Sequence, residues 1–229
     1  MLGLVARRGD RLRQLAPTLG TACEVYEADV RDQRAVITSA NEFLGKHGTP
    51  DVVIGNAGIS RGVLTEYAED AAVFRDIFET NVLGLVHTFQ PFIEPMRKAR
   101  NGKLVGIASV AGFRGLPGHA AYSASKAAAI RYLEALRVEL HGSGVRVVTI
   151  CPGFIDTAMT KKNPYPMPFL IEADDAARRF IRAIDASRSH AVIPWRMAIL
   201  GRILKLLPNA IYDPVLAGRK RKSRAPDRP

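Results

Sequence analysis

Short apolar segments rich in β-branched residues alternate with longer amphipathic segments along most of this chain. The apolar segments are typical of strands buried on both faces, and they cover residues 2–6, 23–28, 51–55, 103–108, 145–150 and 190–194. The segments between them have the apolar spacing of helices, over residues 10–19, 32–47, 68–98, 119–141 and 173–185. Because strands that alternate with helices form parallel sheets covered on both faces, the sequence predicts a three-layer α/β fold with a doubly wound parallel sheet.

Composition narrows the class of protein further. The chain has 229 residues, of which 47% are hydrophobic, so it has enough apolar material for a large core. It has no apolar run long enough to span a membrane, and we expect no signal peptide. Its two cysteines, Cys23 and Cys151, lie far apart, which is typical of a reducing, cytoplasmic environment. The five histidines have no metal-ligand spacing, so we expect no metal site.

Polar and small residues follow five of the predicted strands. In open parallel sheets, ligands bind at the carboxyl ends of the strands. The residues at those ends are Arg7 and Arg8, then Asp29, then Asn56–Gly58, then Ser109, and finally Pro152 and Gly153. We therefore expect these residues to gather along one edge of the sheet, where a ligand would lie.

Tyr122 and Lys126 begin the predicted helix that follows Ser109. Residues four apart lie on the same face of a helix. A free phenol has a pKa of about 10, and a cation one turn away would lower that pKa by favouring the phenolate. The pair is therefore a candidate general acid/base. The alternative is an aromatic side chain packed inward beside a solvated lysine.

Several motifs occur in a fixed order: N-A-G at 56–58, N-V-x-G at 81–84, Ser109 with Tyr122-x-x-x-Lys126 thirteen residues later, and P-G at 152–153. This ordered set resembles the short-chain dehydrogenase/reductase (SDR) family, specifically its NADP-using members with a Rossmann fold. The resemblance covers residues 1–195, which we interpret as one Rossmann-like domain. Residues 196–229 would form a C-terminal segment of amphipathic helices and a basic tail.

The resemblance implies a catalytic tetrad of Asn81, Ser109, Tyr122 and Lys126. Tyr122 would protonate the substrate oxygen in a reduction, and Ser109 would place that oxygen. Lys126 would lower the pKa of Tyr122, and Asn81 would hold a water for proton resupply. The implied function is NADP(H)-dependent interconversion of a carbonyl and a secondary alcohol on an apolar small molecule. The alternatives are a helix-capping serine and an asparagine that satisfies local backbone groups.

Arg7 and Arg8 indicate NADP(H) as the cofactor. A carboxylate after this strand would bind the ribose of NAD, but Ala6 stands at the position that resembles it, and guanidinium groups bind phosphate with paired donors. The alternative is two solvated arginines. By the same resemblance, the remaining cofactor contacts would come from Asp29 and Val30 at the adenine, Asn56, Ala57 and Gly58 at the adenosine ribose, Tyr122 and Lys126 at the nicotinamide ribose, and Pro152, Gly153, Ile155 and Thr157 at the carboxamide.

One part of the family pattern is missing, the glycine-rich turn that cradles the pyrophosphate after the first strand. Residues 2–6 resemble the family's second strand, so the fold is expected to be N-terminally truncated by one strand, turn and helix, roughly thirty residues. We favour the interpretation that Met1 is not the native start. Alternatively, the chain is a non-catalytic scaffold whose basic tail contacts an acidic partner or a membrane.

Three further segments predict partners. Residues 158–172 would line an apolar substrate pocket with Met159, Tyr165, Met167 and Phe169, or would form a surface loop. Residues 196–222 would dock on the domain or a sister subunit, or lie in a membrane interface. The tail at 219–229 has six basic residues and one acidic residue, typical of a solubilising end, and nucleic acid is not an expected partner. The resemblance also implies a homodimer or homotetramer, formed by the helices at 68–98 and 119–141.

Overall fold

The strands that the structure describes all run parallel to their neighbours. The computed structural model describes residues 1–161, 163–218 and 222–224. These residues form the strands β1 (Leu2–Ala6), β2 (Cys23–Glu27), β3 (Val52–Gly55), β4 (Gly102–Ile107), β5 (Val145–Pro152) and β6 (His190–Ile193). Every pairing between these strands is parallel. The predicted α/β fold with a parallel sheet is therefore confirmed.

Helices connect the strands and cover the sheet. They are α1 (Gly9–Leu15), α2 (Gln33–His47), α3 (Asp70–Phe78), α4 (Gly84–Ala99), α5 (Ala120–Glu139), α6 (Ala173–Asp185), α7 (Trp195–Leu206) and α8 (Asn209–Ala217). A π-helical turn at Glu79–Leu83 joins α3 to α4. From the sequence, Pro91 and Pro95 are expected to kink or divide this region. α4 runs through both prolines, so they do not divide the helix, and a kink stays a prediction. Phe89 and Met96 of this helix are buried in the core.

The core lies on both faces of β4 and β5. On one face, Leu104 and Val147 pack with Phe89 and Leu133, which come from α4 and α5. On the other face, Val105 and Val148 pack with Ala183 and Ile184 of α6. This alternation follows from the two-residue period of a strand, and it gives the three predicted layers.

The sheet is divided into two parts. β1 pairs with β2, and β3, β4, β5 and β6 form a second sheet in that order. Among the described residues, no strand pairs with the free edge of β1 or of β3, and a cavity of about 430 Å³ lies between these two strands. Val5 and Ile54 line this cavity, with 47% and 50% of their surface exposed. The two sheets are therefore separated at the edges of β1 and β3.

The C-terminal helices dock on the loop that follows β4. Met197 and Gly201 are the buried residues of α7, and a Cβ at Gly201 would lie 2.5 Å from Cδ2 of Phe113. Arg114 donates to the carbonyl of Leu204 at 2.7 Å, and its guanidinium lies 3.9 Å from the ring centroid of Tyr212. The predicted docking of this segment on the domain is thus observed, whereas the division of the chain at residue 195 stays a prediction. None of the described helices combines the length and apolar composition needed to cross a bilayer.

Candidate active site

Ser109 and Tyr122 meet at the carboxyl end of β4. Ser109 begins a 3-10 turn, in which its Oγ accepts a hydrogen bond from the amide of Ala111 at 3.1 Å. A Cβ at Gly112 would lie 2.7 Å from the carbonyl carbon of Lys126, so the glycine lets this turn pack directly on α5. The side chain of Ser109 lies close enough to the hydroxyl of Tyr122 to favour its ionised form. The structure therefore brings together the serine and tyrosine that the sequence singles out.

Lys126 lies on the same face of α5 but is directed at the backbone of β4. Its Nζ donates to the carbonyl of Ile107 at 2.8 Å and lies 5.9 Å from the centroid of the Tyr122 ring. Burial lowers the pKa of Lys126 to about 8. Burial also raises the pKa of Tyr122, and the nearby side chain of Ser109 opposes this rise only in part. The predicted lowering of the Tyr122 pKa is therefore not observed in this structure, because the loss of solvation of the phenolate outweighs its neighbours.

Asn81 lies in the π-helical turn between α3 and α4, the kind of irregularity that is frequent at functional sites. Its Oδ1 accepts from the amide of Ile59 at 2.8 Å, and its Nδ2 donates to the carbonyl of Ile59 and to Oγ of Ser125, both at 3.0 Å. Ser125 Oγ in turn donates to the carbonyl of Tyr122 at 2.8 Å. This network connects Asn81 to the helix of Tyr122 and Lys126. The water that Asn81 would hold stays a prediction.

Ser125 was missed by the sequence reasoning. It is fully buried, and it is the residue that links Asn81 to α5. A signal was available, because a serine between Tyr122 and Lys126 lies in an alanine-rich helix, where a buried hydroxyl needs a partner.

The predicted residues at the adenosine end of the cofactor surround the cavity between β1 and β3. Those that line it are Arg7, Arg8, Asp29, Val30, Asn56, Ala57 and Gly58. A Cβ at Gly58 would lie 3.3 Å from Oδ1 of Asn81 and 3.5 Å from Nζ of Lys126. One end of the cavity therefore reaches the predicted tetrad.

Asp29 is held by arginines at this edge. Its Oδ2 accepts from Nη2 of Arg31 at 2.7 Å, and Nη1 of Arg7 lies 3.9 Å away. Burial alone would raise the pKa of Asp29, but the hydrogen bonds from Arg31 outweigh it and hold the pKa below its usual value. Arg7, whose side chain is 59% exposed, keeps most of its guanidinium open to a ligand.

The residues predicted to contact the nicotinamide carboxamide do not line this cavity. They lie at and after the carboxyl end of β5. Pro152 is the last residue of β5, and the amide of Gly153 donates to the carbonyl of Ile193 at 2.8 Å. Ile155 forms an isolated parallel bridge with Ile171. The amide of Thr157 donates to Oγ1 of Thr160 at 3.0 Å. The contacts of these residues with a cofactor stay a prediction.

The residues present offer partners for the adenosine end of a dinucleotide. Arg7 and Arg8 offer guanidinium donors for a phosphate on the adenosine ribose. The turn after β1 is not the expected place of the glycine-rich cradle, because β1 resembles the family's second strand. The glycine of this turn, Gly9, has the carboxylate of Glu27 at the place of a Cβ.

His119 and Tyr165 form a second polar contact beside Tyr122. Nε2 of His119 and the hydroxyl of Tyr165 are 3.1 Å apart, and the rings of His119 and Tyr122 meet edge to face with centroids 6.4 Å apart. Burial lowers the pKa of His119. Met159 and Phe169, which the sequence placed in the same pocket as Tyr165, are each 41% exposed. Sequence reasoning missed His119, although it lies only three residues before Tyr122.

The comparisons with known proteins agree with this geometry. A family model described as short chain dehydrogenase matches residues 2–166, and the chain therefore belongs to the short-chain dehydrogenase family. It is 39% identical over 202 residues to an uncharacterized oxidoreductase of Myxococcus xanthus, which covers 88% of this chain and 79% of the relative. It is 37% identical over 150 residues to the 3-oxoacyl-[acyl-carrier-protein] reductase FabG of Chlamydia muridarum, over 65% of this chain and 60% of that protein.

A solved structure shows the same fold. The alcohol dehydrogenase of the archaeon Thermococcus sibiricus, in complex with 5-hydroxy-NADP, superposes with a TM-score of 0.72 at 24% identity, over 83% of this chain and 84% of that one. The predicted Rossmann-like SDR fold is thus confirmed. The chain is similar to oxidoreductases, and structural neighbours of its family bind nicotinamide dinucleotides.

Proposed function

We propose that this protein is an NADP(H)-dependent oxidoreductase that interconverts a carbonyl and a secondary alcohol. The observation that carries the proposal is the assembly of Ser109, Tyr122, Lys126 and Asn81 at the end of a cavity lined by Arg7 and Arg8. The similarity to a reductase of Chlamydia muridarum supports the reaction class. Exposed guanidinium groups at the carboxyl end of β1 support NADP(H) as the cofactor.

The side chains act on the proton of the reaction. A bound NADP(H) would supply the hydride to the carbonyl carbon, or accept it in the reverse direction. Tyr122 would donate its phenolic proton to the carbonyl oxygen, with Ser109 donating a hydrogen bond to the same oxygen. The ammonium of Lys126 would stabilise the phenolate that remains. Asn81 and Ser125 would connect this pair to a proton source.

The surroundings of Tyr122 support an apolar substrate. The ring of Tyr165, whose hydroxyl is bonded to His119, lies with its centroid 6.4 Å from that of Phe154. Aromatic side chains with one polar group are typical of sites for small apolar molecules. We therefore propose a ketone or alcohol with an apolar body.

Tyr122→Phe tests the proposal. It removes only the acidic hydroxyl, and we expect the rate of NADPH oxidation with a panel of aliphatic and aromatic ketones to fall at least ~10²-fold. Tyr132→Phe is the matched control, because Tyr132 lies on the same helix and packs against the core. Retention of the full rate in Tyr122→Phe would contradict the assignment. A folded wild-type protein without turnover would favour the scaffold alternative.

We also propose a homodimer or homotetramer formed through α3, α4 and α5. In support, Phe74 of α3, Leu83 of the π-helical turn and Val138 of α5 are 37%, 49% and 64% exposed, which is high for large apolar side chains. Sedimentation at micromolar concentration should give a dimer or larger. A monomer that Val138→Asp leaves unchanged would contradict this proposal.

We also propose that the protein is cytoplasmic. Within the cytoplasm, it would contact a membrane surface peripherally through α7. Trp195, Ile199, Ile203 and Leu206 are 63%, 50%, 54% and 81% exposed, and their spacing puts them on one face of α7. Arg196, Arg202 and Lys205 are exposed on the same helix, so cations accompany the apolar face, as anionic lipid surfaces favour.

Sedimentation with anionic vesicles tests this contact. We expect the protein to sediment with phosphatidylglycerol vesicles, and Ile199→Asn with Ile203→Asn to remain in the supernatant. Val138→Asn, at an exposed apolar residue on α5, is the control. Equal recovery of wild-type and variant protein in the supernatant would contradict membrane contact, and cell fractionation tests the cytoplasmic location.

A further inference from the structure

Three residues near the C-terminus lie against the loop that follows β3. We call Lys222–Arg224 the C-terminal strap and Ile59–Leu64 the β3 loop. Arg224 forms a parallel bridge with Gly62, and Nζ of Lys222 donates to Oγ of Ser60 at 3.1 Å. The sequence placed these residues in a solubilising tail, but the described part of that tail is bound to the fold.

Arg224 is the anchor of the strap. Its Nε donates to Oδ2 of Asp70 at 3.0 Å, and its Nη2 donates to Oδ1 of Asp70 at 3.1 Å and to Oε1 of Glu69 at 2.7 Å. Its guanidinium also lies 3.5 Å from the centroid of the Tyr67 ring. A fork of donors on carboxylates is the strongest side-chain pairing that a protein offers.

Asp70 joins this anchor to the β3 loop. It is 5% exposed, and its Oδ2 also accepts from the amide of Leu64 at 2.7 Å. The hydrogen bond from Arg224, followed by that from Leu64, holds the pKa of Asp70 below its usual value. A buried carboxylate requires such partners, so the fold of this corner depends on the arginine.

The backbone of the strap occupies the space that a side chain at residue 62 would need. A Cβ at Gly62 would contact the carbonyl oxygen of Ser223 and would lie 2.7 Å from that of Lys222. Glycine is therefore required for the close approach of the two segments. The contact is specific in shape as well as in charge.

The β3 loop reaches the catalytic residues on its other side. Both backbone polar groups of Ile59 are bonded to the side chain of Asn81. The amide of Val63 donates to the carbonyl of Gly118 at 3.2 Å, and Val63 forms a bridge with His119. The loop thus lies between the strap and the residues around Tyr122.

We propose that the C-terminal strap holds the β3 loop against Asn81 and His119 as a wall of the substrate site. Arg224 is then a positioning residue, which acts on substrate binding through Asp70 and the loop. Only the predicted effect of Arg224 on turnover rests on the proposed function. The holding of the loop itself is a property of the folded chain and needs no reaction.

Hydrogen exchange of the full chain, without substrate or cofactor, tests the holding of the loop. Two variants should release it by different routes: Arg224→Gln removes the charge of the anchor, and Gly62→Ala displaces the backbone of the strap. We expect exchange of the amides of residues 59–70 to become at least ~10-fold faster in both, because the hydrogen bonds that protect them open more often.

Two matched variants serve as controls. Arg131→Gln removes an exposed arginine that is also paired with a carboxylate, that of Glu134. Gly115→Ala adds a Cβ where no atom lies within 4 Å. Both should leave exchange in residues 59–70 unchanged. Unchanged exchange in either Arg224→Gln or Gly62→Ala, with native circular dichroism, would overturn the proposal.

Kinetics test the effect on the site. With a ketone that the wild-type protein reduces, Arg224→Gln should raise KM about tenfold and leave kcat within about twofold, because the loop positions substrate while Tyr122 performs the chemistry. Faster exchange with an unchanged KM would show that the loop is held but is not part of the substrate site, and would overturn that part. Absence of turnover in the wild-type protein would contradict the proposed function alone, since the exchange comparison would still decide whether the strap holds the loop.

Discussion

The four-stranded sheet and the two-stranded sheet have the same parallel architecture but very different burial. In the larger sheet, every residue of β5 except Arg146 is buried, and both faces are covered by helices. In the smaller sheet, β1 has no fully buried residue, and its free edge borders the cavity. A parallel strand is stable when both its faces and both its edges are occupied, and β1 lacks an occupant at one edge among the described residues.

The candidate site is divided in the same way. Ser109, Tyr122 and Lys126 are positioned by β4 and α5, which belong to the fully packed half. Arg7 and Arg8 follow β1 in the loosely packed half. The arrangement of the candidate catalytic residues therefore depends on a complete core, whereas the position of the arginines depends on a two-stranded sheet beside a gap. We infer that mutations in the two halves should have effects of different size.

Removal of a core side chain should show the largest difference between the halves. Leu133 is fully buried, and a Cβ at Gly106 would contact its side chain, so it is tightly packed against β4. Leu133→Ala should lower the free energy of unfolding by about 2–5 kcal/mol. Val5→Ala, at a residue that is 47% exposed, should lower it by less than about 1 kcal/mol. Urea titrations measure both, and equal losses would show that the two halves are equally packed.

The buried lysine should make the packed half sensitive to pH. Burial lowers the pKa of Lys126 from its usual 10.5 to about 8 in the folded protein. Between these pH values the unfolded chain binds more protons, so the free energy of unfolding should rise with pH. Below pH 8 the cost of burying the charge is fully present, and above pH 10.5 it disappears.

Lys126→Met removes this dependence and should be more stable than wild type at pH 7. The advantage should shrink through the window between the two pKa values, by at most about 1.4 kcal/mol per pH unit. Lys98→Met, at a side chain that is 77% exposed, is the control and should follow the wild-type profile. Parallel profiles for wild type and Lys126→Met would contradict the lowered pKa.

Substitutions in the loosely packed half should change the preference for NADPH over NADH. If Arg7 and Arg8 bind the 2′-phosphate, replacing each by glutamine should weaken NADPH binding about tenfold or more and change NADH binding little, because only NADPH carries that phosphate. Arg11→Gln, at an exposed residue of α1, is the control. Fluorescence titration measures both affinities. Equal affinities for the two cofactors, before and after mutation, would contradict the proposal that Arg7 and Arg8 bind the 2′-phosphate.

Local sequence patterns predicted the secondary structure closely. Residues 173–185 were predicted as a helix and are one. The strand predicted at 145–150 is observed as Val145–Pro152, which adds two residues at its end. Hydrophobic periodicity is a local property, so it can be read without knowing the neighbours of a segment. Ser109, Tyr122 and Lys126 also lie at the predicted end of one strand and start of the next helix, whereas their tetrad with Asn81 is what the family resemblance implies, and its catalytic role stays a prediction.

The pKa of Tyr122 and the position of Asn81 depend on tertiary packing, which hydrophobic periodicity does not describe. The pKa of Tyr122 rises because burial outweighs the nearby side chain of Ser109, while the ammonium of Lys126 is bonded to the carbonyl of Ile107. The π-helical turn at Glu79–Leu83 interrupts the helix and places Asn81 against Ile59. The prolines of this region, Pro91 and Pro95, lie further along the chain. Neither outcome is visible in a local pattern, because the bonds of Lys126 and Asn81 join residues at least nineteen positions apart.

By itself, the sequence determined the order of the elements, the parallel sheet and the residues at the carboxyl ends of its strands, because these follow from local apolar spacing and from the rules of parallel connections. Only the tertiary structure decided that Arg224 binds Asp70 and that His119 contacts Tyr165. The partners in these pairs are 154 and 46 positions apart. Contacts of that range form only when the packed core has brought the segments together, so no spacing along the chain encodes them.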